Sequence, residues 1–373
     1  MSAHIFLVSI LLVTSLLVYL HRKLSLLQKI PLILLLYIVF MFLGNLNLWD
    51  FNNTSINAIH KQTITNLLPA MIFLMMLGFD ITLFKQLGKK MLLAFFATTS
   101  SLILAFTSLY YLFHDFLWEK ANLSLATLSG SWSGGSINMV AIGKIVGISD
   151  TAMANVIVVD TITYSVWVMF LLLLVPFAQR FNTFTKADVQ EVNIDIACCI
   201  NNDSKSYLKI IMSSIIVTLT INTLSFMLPS FSFISPSFYA VTLATLLGLI
   251  ASKSFLKQLP AQSVANAMLY LIIALIASKA YISDFSTTLV FLALAFAILI
   301  LHALIMIVFA KLFKLDLFSI GIASLAHIGG TAGATVLASS YNKTLIPIAV
   351  VMATGGYLVG TFVGLFIAYL LGV

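Results

Sequence analysis

Two apolar segments of this chain are each interrupted by a glycine pair, at matching places in its two halves. The first reads Leu128-Ser-Gly-Ser-Trp-Ser-Gly-Gly-Ser-Ile-Asn-Met139 and the second Ala323-Ser-Leu-Ala-His-Ile-Gly-Gly-Thr-Ala-Gly-Ala334. A shift of 195 residues lays Gly134-Gly135-Ser136 on Gly329-Gly330-Thr331. A continuous membrane helix has no use for Gly-Gly flanked by hydroxyls. A helix broken at mid-membrane does, because its freed amides and carbonyls must face protein or an aqueous cavity. One such break in each half is the pattern expected at the substrate site of a secondary transporter.

Hydrophobic residues make up 61% of the 373 residues and charged ones 8%, against roughly 25% charged in a soluble domain. A soluble globular protein is excluded. The apolar runs approach 20 residues rather than alternating over about ten, which selects an all-α polytopic membrane protein over a β-barrel. The bilayer is therefore the first partner. The net charge of +7 comes from 19 Lys and Arg that fall mostly in short loops, as at cytoplasmic ends of spans. No basic stretch with interleaved aromatics exists, so no nucleic-acid partner is expected. Cys198 and Cys199 are adjacent in a polar stretch and provide no disulfide framework.

Hydropathy predicts spans at 4–20, 29–47, 67–84, 91–113, 121–144, 150–178, 207–228, 237–252, 263–282, 286–312, 317–338 and 344–371. That is about twelve, within a range of 11 to 13. The organisation follows as a first half, 1–178, with its broken helix at 121–144; a polar linker, 179–206; and a second half, 207–373, with its broken helix at 317–338. The discontinuities fall near 130–138 and 325–333. Positive loops in the first half (Arg22, Lys23, Lys29; Lys85, Lys89, Lys90) are odd-numbered, and those in the second (Lys253, Lys257; Lys311, Lys314) even-numbered. If all are cytoplasmic, the halves form an inverted repeat. Twelve full crossings would instead make the halves parallel. The short span 237–252 is where the count is weakest.

Asp160, in Val156-Ile-Val-Val-Asp-Thr-Ile162, is the acid placed well inside a span. On insertion scales a carboxylate there costs about 2.5–3.5 kcal/mol unless it is protonated or holds a cation. Either state serves ion coupling, with Na⁺ or H⁺ as the coupling ion and no organic cofactor. Ser133, Ser136, Asn138 and Thr331 supply the oxygens expected around such an ion, Na⁺ at Asp160 being the metal reading. Half-helix N-termini favour an anion. Substrate contacts are therefore expected from Ser131, Trp132, Gly134, Gly135, His327, Gly329, Gly330 and Thr335. The alternative use of the same small residues is close helix packing. His302 is read as a ligand or as a helix-to-helix hydrogen bond. Asn155, Asn266, Thr354 and Tyr357 are further lining candidates. Asp80 and Lys279 fall at span ends, where snorkelling or interfacial pairing accounts for them. No triad, metal-ligand spacing or phosphate loop is present, so an enzyme is not expected.

With these residues in view, the chain resembles the bacterial membrane family catalogued as domain of unknown function 819. The resemblance covers nearly the whole chain. It rests on Gly134-Gly-Ser-x-Asn138, Asp160 and Trp167, on His302 and Ser324-x-Ala-x-Ile-Gly-Gly330, and on Gly356-Tyr-x-x-Gly-Thr-x-x-Gly-Leu365. That family is similar in fold to bile-acid/sodium symporters and sodium/proton antiporters. The resemblance implies a panel domain, a core domain with two crossed broken helices, a bacterial inner (cytoplasmic) membrane location and, by fold analogy, a homodimer. Where the family reads Ser-Asn-Ala-Asn-Ile-Gly-Gly-Pro, this chain has Leu325, His327 and Thr331, which implies a changed substrate or coupling ion. The expected activity is ion-coupled symport of a small organic anion. A cation/proton antiporter and a non-transporting receptor or assembly subunit are the alternatives.

Overall fold

A computed structural model describes residues 3–30, 32–187, 203–229, 236–279, 285–341 and 345–373. Among these the regular structure is helical. The first stretch of the chain gives α1 (Ala3–Lys23), α2 (Leu32–Asn45), α3 (Thr54–Met76), α4 (Ile81–Gln86), α5 (Gly88–Phe113), α6 (Ala121–Gly134), α7 (Ser136–Val146), α8 (Asp150–Leu174) and α9 (Ala178–Thr185). The remainder gives α10 (Ser204–Met227), α11 (Pro236–Ala251), α12 (Ala261–Lys279), α13 (Phe285–Phe313), α14 (Leu317–Ile328), α15 (Gly330–Tyr341) and α16 (Ile346–Leu370). Seven of the described helices are long and apolar enough to cross a membrane: α1, α5, α8 with its extension to Thr185, α10, α12, α13 and α16. Their outward faces carry bare aliphatic side chains, such as Leu12, Leu219 and Ile300, each more than 60% exposed. Lipid is the solvent that suits such a surface. The protein is an integral, multi-pass membrane protein.

The chain divides into two compact units. The first comprises Met1–Gly78, Ile148–Thr161 and Cys199–Phe285, and the second Phe79–Gly147, Ile162–Cys198 and Ser286–Val373. Each draws on both sides of the linker, so neither unit coincides with a sequence half. In the first unit α3 packs against α10, α11 and α12, and α12 also against α2. Buried His60 of α3 bonds the Leu275 carbonyl of α12 at 2.8 Å, and Asn222 of α10 donates to Asn66 of α3 at 2.9 Å. Lys279, at the end of α12, lies 3.5 Å from Asp150 and 3.3 Å from Asn57. That is the pairing expected of a cation at a span end. In the second unit α16 packs against α4, α5, α6, α7, α14 and α15. α6 and α14 bury nearly every side chain, the hydroxyls of α6 included.

Several expected spans differ from the helices that form. Segment 67–84 belongs to two elements. α3 starts thirteen residues earlier, at a Thr54 capped by Asn53, and is polar over its first turns (His60, Lys61, Gln62), which hydropathy discounts. Asp80 then caps α4, accepting from Thr82 N at 2.9 Å, so it is a helix cap rather than a snorkelling end. Segments 29–47 and 237–252 are helices of 14 and 16 residues, shorter than a bilayer crossing. The linker begins as α9, its apolar positions masked by polar neighbours. Residues 188–202, with Cys198 and Cys199, lie outside the described residues.

Gly248 of α11 sits against α3 so closely that a Cβ would lie 2.5 Å from Met76 Cβ and 2.7 Å from the Phe73 carbonyl. Gly248→Leu is expected to abolish the monodisperse peak in fluorescence-detected size-exclusion chromatography. Leu246→Ala, on the exposed face of the same helix, should leave the peak unchanged.

Candidate functional site

The second unit is organised around a contact in which two helices meet backbone to backbone. α6 presents Gly130 and Gly134, and α16 presents Gly356, Gly360 and Gly364, each set spaced by four residues on one helix face. A Cβ on Gly134 would lie 2.5 Å from the Gly356 carbonyl, one on Gly360 2.6 Å from Gly134 Cα, and one on Gly364 3.1 Å from Gly130 Cα. No other residue fits this contact. In the first glycine pair, Gly134 therefore serves close packing.

Gly135 serves the break. Its φ of +80 and ψ of 175 lie in a region open essentially to glycine alone. α6 ends there, with Gly135 N on the Ser131 carbonyl at 2.6 Å, and α7 restarts at Ser136. Asn138, in the first turn of α7, closes the gap. Its Nδ2 donates to the Gly134 carbonyl at 2.9 Å and the Tyr357 carbonyl at 3.1 Å, and its Oδ1 accepts from Thr361 Oγ1 at 2.6 Å. Its amide is thus spent on α6 and α16, which makes it a clamp rather than an open ligand in this arrangement. Ser133 Oγ is buried and has no hydrogen-bond partner among the described residues. Ser136 is half-buried.

The second break repeats the pattern. α14 ends at Ile328, and Gly330 takes a φ of +59 as α15 begins. The positive φ falls on the second glycine of each pair. Gly329, the first, lies under the Tyr164 ring, which also covers Gly333. Thr331 N donates to Tyr357 Oη at 3.0 Å, and the two hydroxyls lie 3.0 Å apart. A Cβ on Gly135 would stand 3.3 Å from the Tyr357 ring, and one on Gly330 2.8 Å from its hydroxyl. Tyr357 therefore touches both breaks: its ring covers Gly135, its hydroxyl caps α15, and its carbonyl takes the Asn138 amide. Gly356, one residue earlier, has the Ala326 carbonyl of α14 and the Ser133 carbonyl of α6 within 4 Å of its Cβ position. Thr335 Oγ1 turns back onto the Thr331 carbonyl at 2.8 Å.

Both buried histidines of this unit are held by hydroxyls. His327 is fully buried, its Nδ1 2.9 Å from the Ala323 carbonyl and its Nε2 2.9 Å from Thr99 Oγ1 of α5. The carbonyl requires a proton on Nδ1, which leaves Nε2 as an acceptor for the Thr99 hydroxyl, whose one proton also lies within reach of the Phe95 carbonyl at 3.2 Å. His302 lies between Ser101 and Ser324: Nδ1 is 2.7 Å from Ser101 Oγ and Nε2 is 3.0 Å from Ser324 Oγ. Trp167 Nε1 donates to Ser324 Oγ at 2.9 Å, and Ser101 Oγ donates to the Thr98 carbonyl at 2.7 Å. One proton ordering satisfies every member: Trp167 to Ser324, Ser324 to Nε2, Nδ1 to Ser101, Ser101 to Thr98. Of the two readings of His302, the helix-to-helix hydrogen bond is the one formed, joining α5, α13 and α14.

Trp132 is fully buried, edge-on to Phe106 with centroids 5.4 Å apart, and Ser131 is buried beside it. The breaks thus gather Ser131, Trp132, Ser133, Gly134, Gly135, Ser136 and Asn138, with His327, Gly329, Gly330, Thr331 and Thr335, in one unit. Asp160 is buried, but it belongs with Asn155 and Asn266 to the other unit. Asn266 accepts from Gln262 at 3.2 Å. Sequence reasoning missed Tyr164, Thr99 and Ser101, and named Thr361 only within the Gly356–Leu365 motif, without a role. The four-residue glycine spacing in α6 and α16 was the available signal for the contact that places Thr361.

The arrangement defines a class: a polytopic helical membrane protein with two paired, glycine-broken helices held against one long helix. The chain belongs to the family described as Protein of unknown function (DUF819), whose profile matches residues 8–372. No curated protein matches the chain.

Replacing Asn138 by Leu strands the Gly134 and Tyr357 carbonyls and the Thr361 hydroxyl, at roughly 1–3 kcal/mol per buried group. Tyr357→Phe keeps the ring and loses only the hydroxyl's bonds, at about 1 kcal/mol. Thermal unfolding in detergent should show a much larger fall in Tm for Asn138→Leu than for Tyr357→Phe.

Proposed function

We propose that this protein is a secondary active transporter that carries a small organic anion through the region of the two breaks, coupled to Na⁺ or H⁺. One observation carries the reading. Two helices are each broken at the second glycine of a Gly-Gly pair, 195 residues apart, and Tyr357 links the breaks. Backbone interruption within an apolar helix costs unpaired amides and carbonyls, and this is tolerated where those groups serve a binding site. The α7 and α15 N-termini suit a carboxylate. Ser133 Oγ, buried and without a partner among the described residues, is a donor and acceptor left over from packing. The two halves are the inverted repeat of this mechanism, and alternating access moves the broken helices against the rest of the chain.

Coupling falls to Asp160. A buried carboxyl in an apolar span must be neutralised, and a proton or Na⁺ does this reversibly. The same residue favours the second reading, cation/proton antiport without an organic substrate.

Proteoliposomes with an imposed Na⁺ or pH gradient decide between the two. Saturable, gradient-driven uptake of a radiolabelled carboxylate is expected. Gly135→Leu should abolish it, and Asp160→Asn should uncouple it from the ion gradient. No uptake of any anion, with a luminal pH change on adding Na⁺ or K⁺, would establish the antiporter instead. Unchanged behaviour in both variants would leave neither reading standing.

A further inference from the structure

We propose that the second unit carries a binding site for an anionic phospholipid, with an acyl chain in a cavity beside α14 and the phosphate at a cluster of cations around α9. This proposal does not rest on the transporter reading. A cavity of about 240 Å³ lies between the C-terminal half of α8, α9, α13 and the start of α14. Its walls are apolar, with Phe170, Leu174, Phe181, Ala303, Met306 and Ile320 among them. The polar groups it reaches, Trp167, His302 and Ser324, already bond to one another. A ligand that demanded hydrogen bonds would find none free there. An alkyl chain demands none, and its burial is worth about 0.8 kcal/mol per CH₂.

What stands at the end of this cavity identifies the rest of the ligand. α9 ends the apolar segment Asp150–Thr185 and is amphipathic, with Phe181 and Phe184 three residues apart and Arg180, Asn182 and Thr183 between and beside them. Aromatics with adjacent cations are the side chains of a membrane–water boundary. Arg180 lies over the Phe177 ring at 6.0 Å. Lys311, in the last turn of α13, lies over the Phe184 ring at 4.3 Å and bonds the Phe184 carbonyl. Lys186 and Lys314 are exposed at the adjoining helix ends. Among the described residues, the acid of this region, Asp316, is buried, with its two oxygens on Ser319 N and Oγ, at 2.9 and 2.6 Å. It is committed to capping α14 and does not pair with the cations. Phe177 and Phe181 line the cavity as well, so the apolar and cationic features are continuous. An apolar slot opening onto exposed Lys and Arg at the interface fits a lipid with a negative headgroup.

The site also adjoins a broken helix. Asn182 Oδ1 of α9 accepts from Leu317 N, the first residue of α14, at 2.9 Å. A lipid that ordered α9 would fix the start of the helix that ends at the Gly329-Gly330 break.

The test uses the full chain in a nonionic detergent. Thermal unfolding is followed with added phosphatidylglycerol, phosphatidylcholine of the same acyl chains, or soluble glycerophosphate. Phosphatidylglycerol should raise Tm by roughly 3–5 °C, phosphatidylcholine by less, and glycerophosphate not at all. The surface double variant Arg180→Gln/Lys311→Gln should lose the difference between the two lipids. Ala303→Phe, which fills the cavity, should lose the response to both. Equal shifts for the two lipids in the wild-type protein would overturn the proposal. So would a difference that survives the charge variant, or a response to glycerophosphate equal to that of the lipid. If Ala303→Phe does not fold, the charge variant decides alone.

Discussion

The backbone contact between α6 and α16 is the constraint on which the rest of the second unit depends. Gly130 and Gly134 of α6 meet Gly360 and Gly364 of α16 close to main-chain contact, with the Asn138 and Ile142 side chains of α7 alongside. In lipid, helices have no hydrophobic drive to associate, because the solvent is as apolar as they are. Association comes from dispersion over closely fitted surfaces and from hydrogen bonds across them. Glycine lets the axes approach until main-chain atoms touch. That approach brings the Tyr357 carbonyl and the Thr361 hydroxyl within reach of Asn138.

The two breaks are supported by satisfying the groups they expose. Asn138 takes the Gly134 carbonyl at the first, and the Tyr357 hydroxyl takes the Thr331 amide at the second. Elsewhere in the unit, hydroxyls serve the histidines. Thr99 meets His327, and Ser101 and Ser324 meet His302. These bonds cross between α5, α13 and α14 and fix the rotation of each helix, which apolar packing alone leaves loosely set. Ser133 is the exception, a buried hydroxyl without a partner among the described residues where the first helix ends. A region in which almost every polar group is spoken for, and one is not, is a sensible place for a small ligand under the transport reading.

The breaks themselves were legible, because Gly-Gly flanked by hydroxyls conflicts with any continuous membrane helix. The burial of Asp160 was legible too, because it stands in an apolar run. The roles within each pair were not. Gly134 and Gly135 look alike in the chain, yet one serves packing and the other a positive φ. His327 reads as a cavity residue because it stands beside a break. Its partners on α5, Phe95 with ring centroids 4.3 Å apart and Thr99, could not be read from the chain. Hydropathy missed the first turns of α3 because a polar helix end scores as loop.

By itself the sequence determined the medium, the helical class, the family and the two points where helices break. Each follows from short-range facts: the cost of polar groups in lipid, the length of apolar runs, and the conformations only glycine adopts. The tertiary structure decided which residues meet. Tyr357 lies on both breaks although it is 222 residues from Gly135. The chain splits into interleaved units rather than successive halves. Contacts of that kind depend on which helix faces pair in three dimensions, and a helix's periodicity fixes its own faces without naming the partner.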